Sequence, residues 1–292
     1  IPGAIVNNVW RRGERVWDTN SFFQGSFVKE VNDQFKTQVN AKYAFYRTHY
    51  VNNDDKLIEV DNLYKQREVY VSTANMYTIF PFWDVSMSYD FQWNEMKADM
   101  YGFVFPTRFT NLLSIATALR LGKVKLQGSG LATFVNDRVK EGPAPKARQI
   151  LTPAVFLSYK PFDKHDFSLR AFYKKTFRMP TFNDLYYADM GNSKLDPEYV
   201  TQYNLGTVYQ KQWGNKLFRH FKIQADGYYN YVKDKIIAYP KGQQFRWTML
   251  NLGKVKIRGV DISTETMINP WKDLFITMKV QYTCLLYTSP SP

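Results

Sequence analysis

The chain has 292 residues, and 39 Lys and Arg against 26 Asp and Glu give a formal net charge of +13. With 45% hydrophobic residues and 17% aromatics it carries too much ring area for a disordered chain, and 15 Gly with 13 Pro exclude a collagen-like or low-complexity one. A single cysteine, Cys284, and three histidines, His49, His165 and His220, exclude an internal disulfide and a Cys/His metal cluster, and no run approaches the ~18 apolar residues of a spanning helix.

Period-two alternation organises the chain. Phe35, Thr37, Val39, Ala41, Tyr43 and Phe45 alternate with Lys36, Gln38, Asn40 and Lys42, which predicts a strand with one apolar and one polar face. A weaker strand is expected over 68–79. Trp83, Val85, Met87, Tyr89, Phe91 and Trp93 then alternate with Asp84, Ser86, Ser88, Asp90, Gln92 and Asn94 without a break. Strands follow over 113–121 and, after a turn at Gly122, over 124–128; others are expected over 150–159 and 167–174. The final set covers 203–209, 221–231, 255–268 and 274–283, with a β-bulge expected at Gly259-Val260, where the alternation changes phase.

The connections sort by length. Short links fall at 31–34, 80–82, 122, 160–166, 211–216 and 269–273, and long polar ones alternate with them over 49–66, 94–108, 136–148, 178–198 and 232–245. An antiparallel meander with short turns at one end and long loops at the other, built from strands of roughly ten residues or more, is the arrangement of a transmembrane β-barrel. Alternation alone does not say which face is inside. The loop sorting, with aromatics near strand ends such as Tyr43, Trp83, Trp93 and Tyr229, favours an apolar face turned to lipid and a polar lumen.

The longest link begins Arg178-Met-Pro180-Thr181-Phe-Asn183-Asp-Leu-Tyr186-Tyr187 and ends Gly191-Asn192-Ser-Lys-Leu195-Asp-Pro197-Glu198. Gly191-Asn192 marks a turn, since both residue types tolerate positive φ, and Pro180 and Pro197 hold the chain extended on either side. Arg178 and Glu198, at the feet of the loop, are expected to come within ~4 Å or to share backbone partners and so close its base. These residues, with Thr181, Asn183 and Leu195, read as scaffold. Tyr186, Tyr187 and Asp189, at its middle, are the candidates for touching a substrate.

This loop resembles that of the TonB-dependent outer-membrane receptors, which carry Arg-x-Pro-Thr-Phe-Asn-Glu-Leu-Tyr, then Gly-Asn-Pro-x-Leu-x-Pro-Glu, then a strand with Glu-x-Gly. Lys233-Asp-Lys-Ile-Ile237, and Asn251-Leu-Gly253 leading to Gly259-Val-Asp261, are similar to the same family and stand in the same order. The departures are Asp184 for Glu, Ser193 for Pro and Asn204 for Glu. The resemblance implies a Gram-negative outer-membrane barrel of about 22 strands whose lumen holds an N-terminal plug. It further implies import of a ferric siderophore, haem or cobalamin with energy from the TonB complex, without catalysis and without a resident cofactor or metal.

On that comparison residues 1–284 form part of the barrel, roughly a dozen strands, without the plug domain, and 285–292 read as a non-native tail. The implied partners are the TonB complex, a metal chelate or cobalamin, and outer-membrane lipid and lipopolysaccharide. Lys36, Lys42, Arg120, Lys123, Lys125, Arg170, Lys174, Lys222, Lys254, Lys256, Arg258 and Lys279 are read onto the polar face, against Asp84, Asp90 and Asp226. They would line a path for an anionic cargo, or be neutralised by plug acids and water, with some near the rims meeting anionic lipid. Nucleic-acid binding is disfavoured because the cations lie singly, and an enzyme because the histidines lack nucleophile and acid partners. A passive porin fits the alternation but not the ordered motifs.

Overall fold

The computed structural model describes residues 14–52, 60–142, 144–187, 190–214, 217–241, 246–271 and 273–288. Its first six strands are β1 (Glu14–Glu30), β2 (Phe35–Asn52), β3 (Val60–Phe80), β4 (Trp83–Ala98), β5 (Thr107–Leu121) and β6 (Val124–Arg138). The second six are β7 (Arg148–Tyr159), β8 (Asp166–Arg178), β9 (Glu198–Gln212), β10 (Phe218–Lys241), β11 (Arg246–Trp271) and β12 (Leu274–Thr288), with a short helix, α1 (Phe182–Tyr186), between β8 and β9. All twelve lie in one antiparallel sheet in chain order. Among the described residues β1 and β12 do not pair, so the sheet is an open part of a barrel.

The tight turns have local causes. The Asn32 side-chain carbonyl accepts from the backbone N–H of Gln34 and Phe35, at 2.9 and 2.7 Å, and so closes the β1–β2 connection. Gly122, at φ 55°, allows Leu121 to pair with Val124 across two residues.

Register fixes the faces, because residues directly opposite in neighbouring strands share one. Lys42, Tyr70, Gln92 and Thr110 form a polar row across β2 to β5, and Tyr43, Val69, Trp93 and Phe109 form an apolar row on the reverse. The polar face is concave. Tyr187 packs on Tyr64 of β3, while Asn192 is hydrogen-bonded to Met249 of β11. A flat sheet would hold β3 and β11 nearly 40 Å apart at about 4.8 Å per strand. Five residues of chain reach at most about 18 Å. The sheet must therefore curl toward the polar side.

Most cations on that concave face are neutralised within the sheet: Lys42 by Glu68 at 3.0 Å, Arg120 by Asp84 at 2.6 Å, Arg170 by Asp226 at 3.1 Å and Lys279 by Glu265 at 3.2 Å. Three of these partners are acids of the adjacent strand, and Arg170 of β8 reaches across β9 to Asp226 of β10.

Three expectations change. β1 precedes the first strand read from the sequence; its Phe22-Phe23 and Phe27-Val28 doublets put apolar residues on both faces and hide the period. The 232–245 link is mostly strand, since β10 and β11 stay paired out to Lys241 and Arg246. Ile236, buried against Leu185 and Leu195, gives this extension an apolar face to pack. No bulge occurs at Gly259: Tyr229–Arg258, Tyr228–Gly259 and Gly227–Val260 pair in unbroken register. The glycine is there because a Cβ would overlap the Tyr228 ring. With the phase unbroken, Arg258, Lys256 and Lys254 lie on the outer face with Val260, not on the polar one.

Candidate functional site

Between β8 and β9 the chain leaves the sheet over 179–197 and turns back across the concave face. Arg178 and Glu198 are the last register pair of those strands. Arg178 Nε lies 3.9 Å from Glu198 Oε2, and Arg178 Nη1 is nearer to Asp184 Oδ2, at 3.1 Å. One guanidinium thus serves two carboxylates at the base of the loop.

Thr181 caps α1. Its Oγ1 accepts from Asp184 N–H at 3.1 Å, and Asp184 Oδ2 accepts from Thr181 N–H at 2.9 Å, a reciprocal capping box. The box needs an acceptor at this third helical position, and Asp184 supplies it. Pro180 is fully buried and its carbonyl accepts from Arg108 Nη1 at 2.7 Å. Arg108 also forks onto Asp137, with Nε and Nη2 each at 2.7 Å from a carboxylate oxygen. Phe182, under the Arg108 guanidinium at 5.2 Å, sinks into a cluster of Tyr64, Met96, Ala98 and Phe103.

The other flank is tied to β10 and β11. Leu185 and Leu195 pack on Ile236. Asn192 Nδ2 donates to the Met249 carbonyl at 2.9 Å, and Asn192 Oδ1 accepts from Lys194 N–H at 3.0 Å. Asn251 accepts from Asp196 N–H at 2.9 Å and donates to the carbonyls of Asp196, at 3.0 Å, and Asp234, at 2.7 Å. The last contact holds Asp234 at φ 55°, a conformation costly for a non-glycine residue. Glu198 accepts from Ile236 N–H at 3.0 Å, and Pro197 is fully buried. Stretches 38 to 57 residues apart in sequence therefore form one assembly.

Gly191-Asn192 differs from the positive-φ turn expected of it, because neither residue has a positive φ. Glycine is required for another reason: a Cβ at Gly191 would sit 2.7 Å from the carbonyl carbon and oxygen of Leu185. Tyr187 stacks on Tyr64 with centroids 5.0 Å apart, and Tyr186 packs beside Phe182 at 6.3 Å. Both tyrosines are half-buried, and burial pushes both hydroxyls above the ordinary tyrosine pKa, with Asp137 adding to the rise at Tyr186 and Asp18 at Tyr187. Asp189 lies outside the described residues.

Below α1 a cleft of about 450 Å³ opens between β3–β6 and the loop, walled among others by Gln66, Gln92, Asn94, Thr110 and Asn183. Its lining is rich in amides and hydroxyls, with Glu68 tied to Lys42 and Arg108 to Asp137. The cleft therefore offers hydrogen-bonding groups without net charge, beside apolar walls that include Leu112, Phe177 and Met179. Arg108, Asp137 and Tyr64 were not singled out by the sequence, and Asn251 only as the start of the Asn251-Leu-Gly253 motif, with no role attached; the pairing of Arg108 with Asp137 in register could have flagged two of them.

Residues 3–290 match the model of the TonB dependent receptor-like β-barrel. The chain belongs to this family. The family is one of transporters and receptors. Over 87 residues the chain is 34% identical to the vitamin B12 transporter BtuB of Vibrio vulnificus (strain YJ016), a match covering 30% of this chain and 13% of that protein. Among solved structures, the copper transporter OprC superposes with a TM-score of 0.77 at 15% identity, covering 95% of this chain and 48% of that one. The FrpB iron transporter from Neisseria meningitidis (F5-1 variant, apoprotein form) gives 0.69 at 13% identity, covering 94% and 46%. This TonB-dependent receptor barrel thus spans about half the length of the solved structures it resembles, and shares their fold.

Proposed function

We propose that this chain is the barrel segment of a Gram-negative outer-membrane receptor that imports a scarce solute, a ferric siderophore, haem or a cobalamin, with energy transmitted by TonB. The observation that carries the reading is the 179–197 loop, bonded on one flank to Arg108 of β5 and on the other to Asn251 of β11, which holds a hydrogen-bonding cleft beneath it. The match of residues 3–290 to a receptor family supports active uptake over a passive pore. Vitamin B12, copper and iron transport, named for the similar proteins, fit uptake of a metal-bearing cargo.

In this reading Asn183, Asn94 and Gln66 touch cargo from the walls of the cleft, and Tyr186 and Tyr187 act chiefly as its packed support. The test is growth of a receptor-deletion strain on ferric siderophores, haem or cobalamin, with and without TonB. Rescue by one cargo class, lost when TonB is removed and weakened at least tenfold by Asn94→Ala with Asn183→Ala, is expected. Rescue that persists without TonB would overturn the active-import reading in favour of a pore.

A further inference from the structure

The outer face of β8 to β11 carries a pattern that import of a cargo does not use. Tyr173, Tyr203, Tyr229 and Arg258 stand in one register row. The tyrosine centroids are 5.2 and 6.2 Å apart, and the Arg258 guanidinium lies 5.5 Å from the Tyr229 ring. The next row toward the long loops holds Lys175, Thr201, Tyr231 and Lys256, and the one beyond it Phe177, Tyr199, Lys233 and Lys254. None of these rows contains an acid. Lys233 has Asp234 at 3.6 Å, whereas Lys175, Lys254, Lys256 and Arg258 have no acidic group within 4.0 Å among the described residues.

Toward the short turns the same face becomes apolar. Ala171, Leu205, Gly227 and Val260 form the adjoining row, and the two small residues leave a groove of about 980 Å³ lined by Leu157, Tyr203, Leu205 and Val260. Arg258 lies ten residues along β11 from Ile268, near the short-turn end. At ~2.5 Å of height per residue in a tilted strand that is about 25 Å, the thickness of the apolar band of such barrels. The aromatic row and the cations therefore stand at the level of lipid headgroups, and the groove starts at that row, Tyr203 and Arg258 among its walls, and runs toward the level of acyl chains.

We propose that this face binds one phosphorylated, multiply acylated lipid of the outer leaflet, its phosphates on Arg258, Lys256 and Lys175 and an acyl chain in the groove. Arg258 offers a planar fork to a phosphate, and the lysines act as point charges. Lys175 and Lys256 are three strands apart, about 14 Å. A headgroup with two separated phosphates reaches both; a monophosphate reaches one. The site rests on the outer-membrane reading above but not on the identity of the cargo.

The test is native mass spectrometry of the receptor carrying this barrel, purified from outer membranes, delipidated in detergent and titrated with bisphosphoryl lipid A, monophosphoryl lipid A or phosphatidylglycerol. One bisphosphoryl lipid retained at least tenfold more tightly than either competitor is the expected result. Lys175→Gln with Lys256→Gln and Arg258→Gln should erase the preference, and Lys222→Gln on the concave face should keep it. Outer-membrane fractionation and cargo-dependent growth of the same variants should be unchanged, which separates failure of the lipid site from failure of the import reading. Equal retention of the three lipids, a preference surviving in the triple variant, or displacement by inorganic phosphate alone would each overturn the proposal.

Discussion

Arg108 Nη1 donates to the Pro180 carbonyl at 2.7 Å, across 72 residues of sequence. This bond joins β5 to the first turn of the loop, and the same guanidinium is held in place by both oxygens of Asp137. A buried carbonyl is thereby satisfied by a cation that is itself neutralised, so the anchor adds no net charge to the cleft.

Arg108→Ala should release the loop. It leaves Asp137 buried without its partner and the Pro180 carbonyl without its donor, a loss of about 3–5 kcal/mol by analogy with other buried pairs. The expected outcome is a lowered thermal midpoint and faster trypsin cleavage at Arg178 and Lys194, with the barrel still inserted. Arg108→Lys should recover only part of this, because an ammonium cannot fork onto the carboxylate and reach Pro180 together. Unchanged cleavage would show that the anchor does not hold the loop.

Gly191→Ala tests the close approach of the loop to α1. The added methyl meets the Leu185 carbonyl and the Tyr186 nitrogen, each 2.7 Å from the ideal Cβ, and backbone cannot rotate away as a side chain can. A cost of about 1–3 kcal/mol is expected from such overpacking. Cargo affinity should fall at least fivefold, read by equilibrium binding to whole cells, with receptor abundance in the outer membrane unchanged.

The sheet was largely legible because its physics is local. In β4 the run from Trp83 to Asn94 alternates without a break, and alternation in a long strand has no other simple reading. β1 was not, because Phe22-Phe23 and Phe27-Val28 obscure the period. At Gly259 a local reading failed for a long-range reason: the residue answers to the Tyr228 ring on the neighbouring strand, and taking it for a bulge moved Arg258, Lys256 and Lys254 to the wrong face. The loop motif could be located in sequence, but not its contacts. Nothing near Phe182 announces that it will pack on Tyr64 and Phe103, since those contacts depend on how far the sheet curls.

Asn251→Ala should uncouple the second flank. Asn251 accepts one bond and donates two, to Asp196 and Asp234, and truncation leaves three backbone groups to find water. At about 0.5–1.5 kcal/mol for each neutral bond the loss should lie between about 1.5 and 4.5 kcal/mol before it is partly offset by hydration of this exposed rim. Hydrogen exchange should quicken at Asp196 and around Asp234 while β4 and β5 stay protected. Asn251→Asp should not rescue, because a carboxylate cannot donate to the two carbonyls.

The tyrosines of the loop predict the direction of its pH response. Burial raises the pKa of Tyr186 and Tyr187 above the unfolded value near ~10, so the folded loop favours the neutral hydroxyls. A group raised in this way contributes stability that is fully present below the unfolded pKa and is lost as pH rises through the folded one. Loop protection should therefore be insensitive to these two residues at neutral pH and should decay only on the alkaline side of ~10. Tyr187→Phe should remove one late-titrating phenol and keep the stacking on Tyr64, so that the loop resists alkali better than in the unsubstituted chain. If Tyr187→Phe leaves the alkaline midpoint of loop opening, read by hydrogen exchange, unchanged, the Tyr187 hydroxyl is not buried against Tyr64 in solution.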